Sequence, residues 1–175
     1  KGWNGRMPTF PEMNLDRAEE LLRSAGYTAD NPLEATLWYT PSHYGTTEAD
    51  VAAVLQGSLD QLENFSVEVK SLEWGAYTER MSSGGFGMFL LGWYPDYLEA
   101  SNFLEPWTTG SPEGLGTFFN HHPNYDAYKK IIDTAKSLPD DARRGTLYEA
   151  VQILSAQDVP FLPLWANLAQ AYVVY

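Results

Sequence analysis

From Phe86 to Trp93 the chain runs through apolar side chains almost without a break, with only Gly87 and Gly92 interposed. A run this short suits a strand covered on both faces better than a buried helix. Such a strand needs a packed layer on either side, and the preceding segments supply candidates. Leu33 to Tyr39 alternates loosely and predicts a strand. Phe65, Val67, Val69 and Leu72 alternate with Ser66, Glu68 and Lys70, which predicts a half-buried strand.

Helical periods fall between these strands. Asn14 caps a helix in which Leu15, Ala18, Leu21, Leu22 and Ala25 recur before a terminal Gly26. Thr47-Glu48-Ala49-Asp50 opens another in the manner of a capping box. Val51, Val54, Leu55, Ser58, Leu59 and Leu62 then trace its apolar face. Trp74 to Met81 predicts a short helix closed by Gly84-Gly85. Helix and strand periods in alternation imply βαβ units: an α/β domain whose mostly parallel sheet carries helices on its faces.

The rest of the chain reads differently. Lys1 to Pro11 predicts a loop, Ser101 to Leu104 one helical turn, and Thr108 to Gly116 a loop. Tyr125, Tyr128, Ile131, Ile132 and Ala135 mark a helix that Leu138-Pro139 ends. Asp140 or Asp141 caps a further helix with Leu147, Tyr148, Val151 and Leu154 inward. Val159 to Trp165 predicts an edge strand bounded by prolines, and Ala171 to Tyr175 the start of another.

In parallel sheets ligands sit at the carboxyl ends of strands. There the sequence places Gly92-Trp93-Tyr94-Pro95-Asp96-Tyr97, followed by Phe103-Leu104-Glu105-Pro106-Trp107. Asp96 among aromatics suits a carboxylate presented to a cationic group, although it also suits a cap on the turn after Pro95. Trp93, Tyr94, Tyr97 and Trp107 are the candidate walls, Trp93 and Trp107 being equally at home in the core.

Other chemistries are disfavoured. A net charge of −12 argues against nucleic acid and anionic membranes. Cysteine is absent, which excludes disulfides and thiol chemistry. No window is long and apolar enough to cross a membrane, and no basic-then-apolar signal peptide opens the chain, so the signal of a secreted protein is expected upstream of Lys1. His121-His122 and His43 do not make a metal site, because adjacent histidines point apart. Asp96, Glu99 and Glu105 would be the carboxylates of a glycoside hydrolase, but no second catalytic feature accompanies them. There is no nucleophile elbow, phosphate loop or dinucleotide fingerprint.

Four segments in order resemble the C-terminal lobe of the family 5 solute-binding proteins of ABC importers. They are Asp16 to Leu22 with Ala25-Gly26-Tyr27; Gly92-Trp93 with Asp96-Tyr97; Asn124-Tyr125-Asp126; and Arg144 to Tyr148 with Gln152-Ile153-Leu154 and Pro160 to Leu164. The family often continues Asp-Tyr-x-Asp-Pro, whereas Leu98-Glu99-Ala100 follows Tyr97 here. The resemblance implies a periplasmic-binding-protein type II-like lobe with a mixed sheet and helices on both faces. It implies that residues 1–175 are one lobe of a longer two-lobed protein, with 166–175 starting the return to the other lobe. It further implies a monomeric, extracytoplasmic binding protein without cofactor or catalysis, which passes solute to membrane permease subunits. The ligand is expected to be an oligopeptide or dipeptide, its α-ammonium on Asp96; an oligosaccharide stacked on the Trp faces is the alternative.

Overall fold

The computed structural model describes residues 12–109 and 117–165. The loop expected over 1–11, most of that over 108–116, and the return expected over 166–175 lie outside the described residues. The element order is α1 (Leu15–Ser24), β1 (Leu33–Tyr39), α2 (Thr47–Leu59), β2 (Phe65–Ser71), α3 (Trp74–Ser82), β3 (Met88–Phe89), α4 (Ser101–Thr108), a 3-10 turn (Thr117–His121), α5 (Tyr125–Ser137) and α6 (Ala142–Asp158).

The sheet has the order β2-β1-β3. All its pairings are parallel, from Leu33↔Phe65 to Tyr39↔Ser71 and at Leu37↔Met88 and Trp38↔Phe89. The antiparallel member of a mixed sheet is not among the described strands. Alternation along β1 then builds two layers. Leu37 packs with Ala52 of α2 and Val67 of β2, joined by Tyr39, Met88 and Leu90. Trp38 faces the other way, into Tyr77 and Met81 of α3 with Phe86, Phe89, Leu91 and Trp93. Helices thus cover both faces of the sheet.

The apolar run feeds both layers by alternation, as its composition suggests, but only Met88 and Phe89 pair as strand. Among the described strands β3 stands at one end of the order. Ladder formation needs a partner at every step, and β1 offers β3 only Leu37 and Trp38. After Leu90 donates its N–H to the Trp38 carbonyl at 2.8 Å, the chain leaves the sheet. Asp96 therefore lies on the loop beyond β3, not at a long strand's end.

Helix α2 also departs from expectation. Its N-cap is Thr46, with no side-chain cap bond, and its buried residues are Glu48 and Ala52. Glu48 turns inward instead of closing a capping box, and Val54 is 70% exposed. Helix α1 is capped as expected, the Asn14 side chain accepting from Arg17 N–H at 2.8 Å. It ends in a Schellman turn, Tyr27 N–H on Leu22 O and Gly26 N–H on Arg23 O, with Gly26 at φ +95°. None of its residues is buried.

The second half forms a helical layer. Leu104, Tyr128, Ile132, Ala135, Tyr148 and Val151 are its core. Asp141, not Asp140, caps α6 through the N–H groups of Arg143 and Arg144. The turn expected at Ser101 extends to Thr108 through Pro106, so Trp107 sits on a helix. No strand forms over 159–165. Pro160 and Pro163 bring no N–H donors, and Val159 ends α6 in the left-handed region at φ 48°.

Tyr77 joins these layers. It is wholly buried, and its hydroxyl donates to Leu90 O at 2.6 Å and lies 3.2 Å from Trp38 O. Burial pushes its ionisation well above that of a free tyrosine, so it remains a neutral donor. Tyr77→Phe should lower stability by about 1–3 kcal/mol, because two buried carbonyls lose their shared donor. Urea denaturation measures this; unchanged midpoints would show that the phenol contributes nothing.

Candidate functional site

The carboxyl ends of the three parallel strands define one edge, and the segments leaving them meet there. From β1 come His43 and Tyr44, from β2 comes Trp74, and from β3 come Gly92 and Trp93. His43 lies flat on Trp74, with ring centroids 3.5 Å apart and planes within 3°. Tyr44 stands edge-on to both, at 4.6 Å from His43 and 5.8 Å from Trp74. Its hydroxyl donates to Gly92 O at 3.0 Å. Burial pushes the Tyr44 phenol up to about 12. Gly92 is required here, because a Cβ on it would lie 2.8 Å from Tyr44 Cε1.

Beyond Gly92, one side chain organises the loop. Asn102, in the first turn of α4, is 6% exposed. Its Oδ1 accepts from the Asp96 N–H at 2.9 Å and from the Trp93 indole N–H at 3.3 Å. Trp93 and Trp107 meet edge-on at 5.9 Å, and Trp107 packs on Phe161 at 5.7 Å. Both tryptophans are half-buried against the Tyr77 cluster, so they are part of the packing as well as of the edge. Tyr94 and Tyr97 are 72% and 50% exposed, and Leu98 beside them is 93% exposed.

The three acidic residues of this region behave differently. Glu99 accepts from Ser101 N–H at 2.7 Å and pairs with Arg144 at 2.6 Å. Burial works against its charge, but its bonds from Ser101 and Tyr148, with the Arg144 guanidinium, hold it below the usual carboxylate range. Glu105 pairs with Lys136 at 2.9 Å. Asp96 is exposed, and its carboxylate has no hydrogen bond or ion pair among the described residues. The cap expected on the turn after Pro95 is made by Asn102 instead. The carboxylate trio of a hydrolase is thereby reduced to a single free member.

The histidines are dispersed. His122 stacks on Phe119 at 4.5 Å and its Nδ1 accepts from Asn124 N–H at 3.2 Å, so it belongs to a packed turn rather than to a surface loop. No group of three or more metal-type ligands occurs among the described residues.

Of the residues expected from sequence, the structure brings Trp93 to Trp107 and sets Tyr94, Asp96 and Tyr97 on the adjoining loop. His43, Tyr44, Trp74 and Asn102 were not foreseen. Tyr44 and Trp74 follow β1 and β2 closely, so the strand-end rule that singled out Asp96 also reaches them. Asn102 gives no such signal.

Comparison with known proteins places this edge in context. Residues 1–114 match the family described as bacterial extracellular solute-binding proteins, family 5 Middle. The chain is 28% identical to the Probable deoxycholate-binding periplasmic protein YgiS of Escherichia coli (strain K12), over 90% of this chain and 29% of that protein. It is 30% identical to the periplasmic oligopeptide-binding protein OppA of the same organism, over 88% of this chain and 27% of that one. Among solved structures, the ABC transporter-associated periplasmic binding protein DppA from Helicobacter pylori in complex with peptide STSA superposes with a TM-score of 0.74 at 30% identity, covering 93% of this chain and 30% of that chain. The chain spans about a third or less of the length of these relatives. Its fold is that of a periplasmic-binding-protein type II-like lobe.

The Tyr44–Gly92 contact makes two outcomes testable. Gly92→Ala should destabilise by about 1–3 kcal/mol, the range for overpacking. It should do so by much less in a Tyr44→Ala background, since the ring it strikes is then absent; equal losses in both backgrounds would place the strain elsewhere. The raised phenol also sets a pH dependence. A group whose pKa is higher when folded stabilises fully below its unfolded value, near 10, and loses that stabilisation as pH climbs to about 12. Denaturation midpoints from pH 9 to 12 should therefore fall more steeply for the wild type than for Tyr44→Phe. Parallel curves would contradict the assignment.

Proposed function

The chain belongs to the bacterial extracellular solute-binding proteins of family 5, and we propose that it forms one lobe of a binding protein that captures oligopeptides or dipeptides. The solute sits between this lobe and the rest of the protein and is handed to an ABC permease. The protein works outside the cytoplasm, as a monomer, and does not turn its ligand over.

One observation carries the reading. Asp96 is fixed through its backbone by Asn102, yet its carboxylate is free while Glu99 and Glu105 are paired. A carboxylate whose backbone is anchored and which is left without a partner is suited to an ammonium. When a cleft closes over it, water leaves, the local dielectric falls and the charge-assisted bond strengthens. The peptide main chain is then bound in a way that tolerates many side chains. Tyr94 and Tyr97 flank the carboxylate and offer exposed ring faces to the first side chains of the peptide.

The relatives support this unevenly. OppA is described as oligopeptide-binding and the DppA structure contains a peptide, whereas YgiS is described as binding deoxycholate. Similarity therefore leaves ligand class open within the family, and Asp96 argues for a ligand with an amine. The oligosaccharide alternative has less support: Trp93, its expected stacking platform, is held by Asn102 and abutted by Trp107. A hydrolase has less again, since Glu99 and Glu105 are already engaged in ion pairs with Arg144 and Lys136.

In the full-length protein, Asp96→Ala should weaken peptide binding by about 1.5–3 kcal/mol, the worth of a hydrogen bond to a charged group. Acetylating the peptide amine should weaken it similarly. The two losses should not add, because they delete the same pair. Calorimetry with free and acetylated peptides decides it: additive losses would show that Asp96 does not meet the amine, and no loss from either would favour an uncharged ligand.

A further inference from the structure

Glu48 is a carboxylate whose surroundings do not satisfy it. It is 7% exposed, on the same inward stripe of α2 as Ala52, which touches the sheet core. It makes no hydrogen bond or ion pair among the described residues, and its Oε2 is shut off from solvent without a donor. A buried polar group without a partner is destabilising, and a charged one more so. The N-terminal end of the α2 dipole offsets only part of that.

Its position gives the missing partner a direction. α2 follows β1 and returns antiparallel to it, as a βαβ crossover must, so its first turn lies at the carboxyl edge of the sheet. That edge carries Tyr44, Trp74, Gly92 and the Asp96 loop. The charge of Glu48 is felt by Tyr44, but the Tyr44 hydroxyl is already given to Gly92 O. Thr40, at the end of β1, is wholly buried, and its hydroxyl also lacks a partner. The basic residues of the sheet layer are engaged elsewhere. Arg80 bonds Gly85 O at 2.9 Å and lies over Trp38 and Phe86, while Lys70 pairs with Glu68. Two unsatisfied buried polar groups thus belong to this edge, one of them a carboxyl group.

We propose that Glu48 is a second anionic subsite, which takes an ammonium or guanidinium of the ligand. The protein would then select peptides that carry a basic side chain in addition to a free amino terminus. This rests on the peptide reading above and goes beyond it: Asp96 accounts for the amine common to all peptides, whereas Glu48 distinguishes among them. A cation, unlike a water molecule, both donates hydrogen bonds and neutralises the charge. The Thr40 hydroxyl is a candidate acceptor for a further donor of the same group.

The test uses the full-length protein and tripeptides of alanine in which each position in turn is lysine or glutamine. By calorimetry the wild type should prefer lysine at one position or more by at least tenfold. Glu48→Gln, which keeps shape and removes charge, should abolish that preference and leave glutamine peptides within about twofold. It should also raise the melting temperature of the unliganded protein, because an uncompensated buried charge is gone. Equal binding of lysine and glutamine peptides by the wild type would overturn the proposal while leaving peptide binding intact. So would a lysine preference that survives in Glu48→Gln. A lowered unliganded melting temperature would overturn it too, by showing that Glu48 already has a structural partner in the whole protein. Failure to bind any of the peptides would instead remove the peptide reading and this proposal together.

Discussion

The Tyr77 hydroxyl at the end of β3 is the interaction on which the rest of this lobe turns. A strand of two residues contributes little pairing energy, yet the chain leaving it must be aimed accurately. Tyr77 reaches from α3 across the sheet and donates to Leu90 O where the ladder stops. The neighbouring Trp38 carbonyl receives the Leu90 N–H, so both sides of the exit are tied. Because the phenol is wholly buried, these bonds form in a medium where leaving them unmade is costly. The loop bearing Trp93 and Asp96 departs from a fixed point.

From that point the loop is held largely by backbone and small polar groups, which leaves the Asp96 carboxylate unspent. Asn102 contributes one oxygen to two donors, the Asp96 N–H and the Trp93 indole. Glu99 caps Ser101 and is anchored by Arg144 of α6, so the helical layer grips the loop from behind. The carboxylate of Asp96 takes no part in this. Had Asp96 itself capped the turn, the same group could not have met a ligand without releasing the loop. The division of labour between Asn102 and Asp96 lets the loop keep its shape whatever the Asp96 carboxylate meets.

How far the sequence could be read depends on what each signal reports. β1, β2, α5 and the cap of α6 were legible because hydrophobic periods, loose in β1 and clear in β2 and α5, and an aspartate at an N-cap are local properties. The length of β3 was not, because apolarity from Phe86 to Trp93 reports burial, whereas strand assignment requires a paired neighbour. The same confusion produced a strand at 159–165, where Pro160 and Pro163 cannot donate. Glu48 read as part of a capping box because sequence does not say on which side of a helix's first turn a side chain will fall. Asp96 was visible because it follows the apolar run from Phe86 to Trp93 in the chain. Tyr44 and Trp74 belong to other strand ends, and only the parallel topology assembles the three.

Where this lobe keeps its charge bears on how it binds. The chain carries a net charge of −12, but many of its described basic residues are matched to nearby carboxylates, as in Arg144–Glu99 and Lys136–Glu105. Among the described acidic residues at the strand-end edge, Asp96, exposed, and Glu48, buried, are two that have no basic partner. An exposed carboxylate is hydrated in the open state and gains strength only as water is displaced. A buried one has already lost its water, and a cation that reaches it recovers that loss at once. On the proposed reading, affinity for an amine is tied to closure of the cleft, while discrimination between side chains is set in the lobe beforehand. On that reading the solute is gripped as the cleft closes and freed as it reopens, whereas the choice among side chains does not change with closure.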